Sequence, residues 1–356
     1  MTISMDATEL RYLTYSRGDI CDRTIDTDYL QHDCPLDQTT SNSPTIYHMQ
    51  DATASLGQFD RLPLETTQNI LSNLDLSTLT LLRSISRRMN LLVDSLPAYQ
   101  KVVTHSPNAL RALLSTHAAQ HFTANDLHNA LRAQDCFLCG HFGAFLYLLE
   151  CRRCCWQCLT SDEDLLPISQ SSAKIMYRFD AQTVARIPML LSIPGSYGLK
   201  QRRLPHLRLK GGVRVALVAY GAARKARVRS QLHDLLSQDY EKLKLETRIA
   251  LRGPLSQDFM WEMDCMNYDP AGYEAGYGLE PQRFMAAIRF PTLITSTDAV
   301  EWGVSCLGCL ERAKDGDEER FWNMQYTSEG MVKHLEQCQK AACSWANDRV
   351  TELRKR

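Results

Sequence analysis

Six of the chain's thirteen cysteines fall within "CFLCGHFGAFLYLLECRRCCWQC", residues 136 to 158. They form three pairs of one spacing: Cys136-x2-Cys139, Cys151-x2-Cys154 and Cys155-x2-Cys158. A Cys-x2-Cys pair aims two thiolates at one ion across a tight turn, and Gly140 directly after the first pair suits such a knuckle. Structural zinc takes four ligands in a tetrahedron, so Cys136 and Cys139 with one later pair complete a site. The spacing leaves the later pair open. Cys155 and Cys158 are favoured, with Cys151 or Cys154 as substitutes.

A second constellation lies in "SCLGCLERAKDGDEERFWNMQYTSEGMVKHLEQCQKAAC". Cys306-x2-Cys309 forms one half, and His334-x3-Cys338 the other. Four residues apart on a helix, His334 and Cys338 leave the same face. Two ligands from a knuckle and two from a helix make a familiar zinc construction, with Cys343 as a spare thiol. The acidic "DGDEE" in the spacer would repel phosphates, unlike a nucleic-acid-binding finger.

Catalysis is the weaker chemistry for these thiols. A nucleophilic cysteine needs a positioned base or cationic surroundings, which Arg152, Arg153 and His141 supply only by proximity. Bound zinc would silence the thiols. A RING-type ubiquitin ligase needs eight interleaved ligands, and the first cluster has no continuing Cys-x2-Cys until residue 306. The chain shows no phosphate-binding loop, serine elbow or His-Glu-x-x-His motif. The cysteine pairs read as zinc-held structure, in a chain that is not an enzyme.

That reading presumes a reducing compartment. The N-terminus lacks a basic stretch followed by an apolar one, so no secretory signal is expected. The longest apolar run, "FGAFLYLLE", is far short of the roughly 20 residues of a membrane span. Cytoplasm or nucleus is the expected location, where disulfides are rare. Lys and Arg total 40 against 41 Asp and Glu, so overall charge makes no case for nucleic acid or membrane as the main partner.

The elements that must position these residues follow from the patterning. Residues 1–57, rich in Asp, Thr, Ser and Gln, read as a disordered acidic arm. At 58 the character changes. Pro63 suits a first helical turn, and Leu64, Thr67, Leu71 and Leu74 form a helical face with Ile70 beside it. Asp75 can cap a second helix carrying Leu76, Leu79, Leu82 and Ile85. Met89, Leu92, Val93 and Leu96 continue the pattern until Pro97. Three short helices in so few residues bury little surface, and their apolar residues exceed one stripe per helix. Some should remain outside as a docking face.

"LPLETTQNILSNLDLSTLTLLRSISRRMNLLV" resembles an F-box, through its Leu-Pro-x-Glu start, Ile-Leu-x-x-Leu-Asp turn and Leu-x-x-Ile-Ser-Arg segment. Thr66-Thr67 departs from the usual aliphatic pair. More loosely, the sequence on to "HLEQCQKAACSWA" resembles fungal F-box proteins with a cysteine-bearing domain after the box. The resemblance implies a mainly α chain: an F-box at 58–103, then a larger, mostly helical domain at 104–350 with zinc knuckles. It also implies docking onto a Skp-family adaptor, and through it a cullin-based ubiquitin ligase, while the second domain recruits a protein substrate. The implied docking residues are Leu62, Pro63, Leu64, Ile70, Leu71, Leu74, Leu82, Ile85 and Ser86. The expected zinc ligands are Cys136, Cys139, Cys155, Cys158, Cys306, Cys309, His334 and Cys338.

Two helices are expected over 108–135, with Leu110, Leu113 and Leu114 on one face and Phe122, Leu127 and Leu131 on the other. "RIPMLLSIPGSYG" reads as packing, and "GGVRVALVAYG" as a buried strand or a helix start. Helix is expected from 222 to 250. The acid-free basic run 199–229 offers the alternative function, a zinc-stabilised nucleic-acid-binding or regulatory protein. Sparse aromatics there argue against stacking on single strands.

Overall fold

The structure is a computed structural model, and it describes residues 7–18, 23–34, 56–197, 207–208, 214–235, 281–314 and 323–338. After a 3-10 turn at Gly57–Arg61 come three short helices, α3 (Leu64–Ser72), α4 (Leu76–Arg83) and α5 (Arg87–Asp94). Each begins where its sequence predicts. Pro63 precedes α3, the Asp75 carboxylate accepts from the Thr78 N–H at 2.9 Å, and Ser86 Oγ accepts from the Met89 N–H at 3.1 Å. Pro97 ends the third helix and opens a fourth, α6 (Pro97–His105), at its first position, where its missing N–H costs nothing. Arg83 and Asp94 lock α4 to α5 through two contacts, at 2.8 and 3.1 Å.

Asp75 also accepts a 2.6 Å bond from the Thr78 hydroxyl. Asp75→Ala is expected to lower stability by about 1 kcal/mol, read as an earlier urea midpoint. An unchanged midpoint would show that α4 does not depend on its cap.

The next two helices are α7 (Pro107–Ser115) and α8 (Ala124–Arg132), the latter opened by a capping box between Thr123 and Asp126. Leu110, Leu113, Leu127 and Leu131 are fully buried, as their spacing predicts, while Leu114 and Phe122 are partly so. No seam separates them from the preceding helices. One core runs from Leu71 and Leu76 through Tyr99, Leu110 and Leu131 to Phe145, Ile288 and Leu293. The expected domain boundary at 103–104 lies inside α6.

The cysteine-rich part is helical with small antiparallel sheets. Strand β2 (Phe145–Tyr147), cut from the longest apolar run, lies between β3 (Arg152–Cys154) and β9 (Ala287–Arg289), and all three of its residues are buried. Helix α9 (Trp156–Ser161) follows β3. A second sheet orders β4 (Pro167–Ser169), β8 (Ala216–Ala219) and β5 (Met189–Leu191), packed with α10 (Gln170–Tyr177) and α11 (Ala181–Ala185). Both readings of "VALVAYG" hold: β8 is a buried strand that runs directly into α12 (Tyr220–Leu235). The expected continuation of that helix to 250 lies outside the described residues. In "RIPMLLSIPGSYG", Ile187, Leu190, Ile193 and Tyr197 are buried, and Ser196–Tyr197 (β6) pairs with Leu207–Arg208 (β7). Helix α13 (Pro281–Met285) leads into β9, followed by the hairpin β10 (Thr292–Ile294) and β11 (Ala299–Glu301). Then come β12 (Ser305–Cys306), α14 (Leu307–Lys314) and α15 (Ser328–Leu335).

The acidic arm is a correction. Within residues 1–57 the structure describes α1 (Ala7–Leu13), β1 (Thr14–Tyr15) and α2 (Thr27–Asp33). Leu13, Ile25 and Leu30 are buried, Thr14 pairs with Cys306, and the Ile25 N–H donates to Ala287 O at 3.2 Å. A handful of aliphatics anchors this polar segment, because surfaces formed hundreds of residues later are there to receive them.

Candidate functional site: two thiol quartets and an outward apolar face

The first knuckle is built as its sequence suggests. Gly140 takes φ +75° and donates its N–H to Cys136 O at 3.0 Å, a tight turn that L side chains rarely adopt. The turn puts the thiols of Cys136 and Cys139 side by side. Cys155 is the N-cap of α9 and accepts from the Cys158 N–H, so the start of that helix presents the second pair.

The ligand atoms of Cys136, Cys139, Cys155 and Cys158 all lie within 4.8 Å of one another. Cys139 and Cys155 are 3.5 Å apart, sulfur to sulfur. A tetrahedral ion with metal–sulfur bonds of about 2.3 Å implies sulfur–sulfur edges of roughly 3.8 Å, whereas a disulfide needs about 2.05 Å. The quartet therefore fits one metal ion and no disulfide.

Of the later pairs, the fold brings Cys155 and Cys158 to the first knuckle. Cys154 sits on β3 opposite Phe145 and is fully buried, and Cys151 occupies a left-handed turn at φ +50°. Burial pushes both of these thiols up. Within the quartet, the Cys155 thiol donates to Cys136, and this with backbone N–H groups holds Cys136 down at about 4. Burial, and then the bond to Cys139, pushes Cys158 up to about 12. Four thiols this close cannot all ionise without a counter-charge, which a divalent cation would supply. His141, missed as part of this site, places Nδ1 3.3 Å from Cys139 Sγ. Metal-bound sulfur commonly receives such outer hydrogen bonds.

The second quartet, Cys306, Cys309, His334 and Cys338, meets the same distance criterion. Cys309 Sγ is 3.2 Å from His334 Nε2 and 3.9 Å from Cys338 Sγ. Tyr326 stacks on the imidazole with ring centres 4.4 Å apart, and its backbone pairs both ways with Val304 at 2.9 Å. The ring's orientation is thereby tied to the knuckle. Cys306 is held at about 4, first by the thiol of Cys309. Cys343 and Cys265 lie outside the described residues.

The third feature is apolar. Ten large hydrophobic side chains stand exposed among the described residues, and six belong to the stretch 59–85: Phe59, Leu62, Leu64, Ile70, Leu81 and Ile85. Leu81 and Ile85 are 66% and 69% exposed, which no folded chain gains by leaving in water. Of the expected docking residues, Leu62, Pro63, Leu64, Ile70 and Ile85 are exposed. Leu74 and Leu82 are half-buried against the core. Leu71 is a correction: fully buried, it holds the face from behind. Ser86 spends its hydroxyl on capping α5. Leu81 and Phe59 were missed, because neither continues the leucine stripe that marks the inward face.

The basic run 199–229 is only partly within the described residues. Of its cations, Arg214 donates to Ser192 O at 3.0 Å and to Ser115 O, and Arg224 pairs with Asp164 at 2.7 Å. Among the described residues, no helix is long and apolar enough to cross a membrane.

Capped short helices that turn aliphatic side chains outward stand ahead of a larger thiol-bearing body. Residues 59–101 match the F-box domain, so the chain carries an F-box. No curated protein and no solved structure matches it significantly.

Proposed function

We propose that the chain is a non-catalytic adaptor of the cytoplasm or nucleus. It docks through the exposed 59–85 face onto a Skp-family adaptor, and through that onto a cullin-based ubiquitin ligase, and it presents a protein substrate from its cysteine-bearing part. The observation that carries this reading is the clustering of outward aliphatic side chains within an F-box domain. Each quartet takes a structural zinc ion, whose thiolate affinity suits the donors. Cys136, Cys139, Cys155 and Cys158 would hold one ion, and Cys306, Cys309, His334 and Cys338 the other. Bond-making belongs to the partners.

The test is capture of the full chain by a purified Skp-family adaptor, beside a Pro63→Ala, Leu64→Ala, Ile70→Ala variant. All three positions are exposed, so the variant is expected to keep its urea midpoint. Its affinity should fall on the order of 100-fold, as for truncated interface anchors. Folded wild type that fails to bind the adaptor would sink the proposal.

A further inference from the structure

Two cavities adjoin between the quartets. One, of about 380 Å³, is bounded by Cys139, Phe142, Trp156 and Met324 among others. The other, of about 310 Å³, is bounded by Asp135, Tyr326 and Glu329 among others. His141, Phe142 and Gln325 line both, so they form one cleft. One wall is the first knuckle and the start of α9. The other is the segment that leads from Asn323 into α15 and the second quartet.

The cleft has chemical polarity. Its first half is apolar, floored by Phe142 and Trp156, and Trp156 is held by stacking on Phe284 at 5.4 Å. Phe142 lies so close over Gly303 that a Cβ there would come within 2.3 Å of its ring, so the missing side chain makes room for it. In the other half Glu329 is paired with Lys333 at 2.7 Å, whereas the exposed Asp135 has no ion pair among the described residues. That half therefore carries a net negative charge.

Between the halves sits Gln325. It is only 6% exposed, and its side-chain amide makes no hydrogen bond among the described residues. Its carboxamide keeps access to the cleft, since the side chain lines both cavities. A carboxamide offers one acceptor and two donors, which match the N–H and C=O of a peptide backbone laid beside it.

We propose that this cleft holds the substrate, as an extended segment with a bulky apolar residue followed two positions later by a basic one. Alternate side chains of an extended chain point the same way, so the apolar one enters beside Phe142, Trp156 and Met324, and the basic one meets Asp135. Gln325 bonds the backbone between them. This deepens the adaptor reading and rests on it for the word substrate.

The experiment uses the zinc-loaded full chain and fluorescein-labelled peptides Gly-Ser-X-Ser-Z-Ser-Gly, with X as Phe, Leu or Ala and Z as Arg, Gln or Glu. Fluorescence anisotropy should rank Phe or Leu with Arg tightest. Replacement by Ala at X, or by Glu at Z, should weaken binding about ten-fold. Gln325→Ala should weaken the best peptides about five-fold without changing their rank. Asp135→Lys should reverse the order of Arg and Glu.

Metal content and capture by the Skp-family adaptor are measured on each preparation, so that misfolding is not mistaken for lost recognition. Binding that ignores X and Z, or that survives both substitutions unchanged, overturns the cleft proposal, as does the absence of binding by any peptide. Ranked peptide binding without adaptor capture would instead overturn the adaptor reading and leave the cleft standing as a peptide site.

Discussion

Cys155→Ser is expected to release one of two metal equivalents and to unfold the region around the first quartet. Serine is among the best N-cap residues, so the substitution preserves the cap that Cys155 gives α9 and removes only the thiolate. Structural zinc supplies about 10–16 kcal/mol of apparent folding free energy, against a net stability of about 5–15 kcal/mol for a whole domain. A three-ligand remnant should forfeit much of that. The quartet also shares the main core, since Cys136, Cys155 and Cys158 pack with Phe145 and Leu131, so damage there should reach the helices around it. Elemental analysis with a urea titration decides it. Cys34→Ala, at a half-buried thiol outside both quartets, is the control that should retain both ions. If Cys155→Ser keeps two equivalents and an unaltered midpoint, the quartet is not a metal site.

Arg153→Met should be nearly as damaging, by about 3 kcal/mol or more. Arg153 is 2% exposed and makes no ion pair among the described residues. Its guanidinium instead donates to four carbonyls: Ala130 and Phe290 at 3.2 and 3.3 Å, with Gly143 and Pro291 closer still. Burial draws its pKa down to about 9, which still leaves it charged at neutral pH. Methionine fills similar space and donates nothing, so it leaves those acceptors without their buried donor, at about 1–3 kcal/mol for each group left unsatisfied. Arg153→Lys should recover part of the loss. A change within about 0.5 kcal/mol, the range of ordinary surface substitutions, would show that these bonds contribute little.

Arg153 also marks how far the sequence could be read. Beside the cysteines it looks like a cation tuning thiols, and nothing in "CRRCC" separates exposed Arg152 from buried Arg153. The difference comes from β9 and Pro291, which close over it from far along the chain. The same distance hid the strands. β2 pairs with β9, and short strands buried on both faces show no alternation to read.

Local chemistry was more legible. Asp75, Ser86, Pro63 and Pro97 each mark a helix boundary, and the leucine spacing gives the inward face of the box. The knuckle pairs gave six of the eight quartet residues, and the helical spacing of His334 and Cys338 gave the other two. What spacing could not decide was Cys155 over Cys151, a choice made by a strand that turns Cys154 inward and a helix that begins at Cys155. Leu71 failed as a docking residue for a related reason: a helix two turns long has apolar residues on both sides, and only the packed structure says which are spent.

The pairing of Thr14 with Cys306 has a consequence for how this protein is made. Chains leave the ribosome N-terminus first, at about 5–20 residues per second, so β1 waits roughly 15–60 s for its partner strand to exist. Ile25 waits almost as long for Ala287. The box helices, meanwhile, emerge early and complete their own hydrogen bonds, but the floor of their shared core arrives with β9. During translation the nascent chain therefore shows its outward aliphatic face and an unfinished inner one together. Arrival of a docking partner, or of a chaperone, in that interval would compete with the ribosome's own timetable.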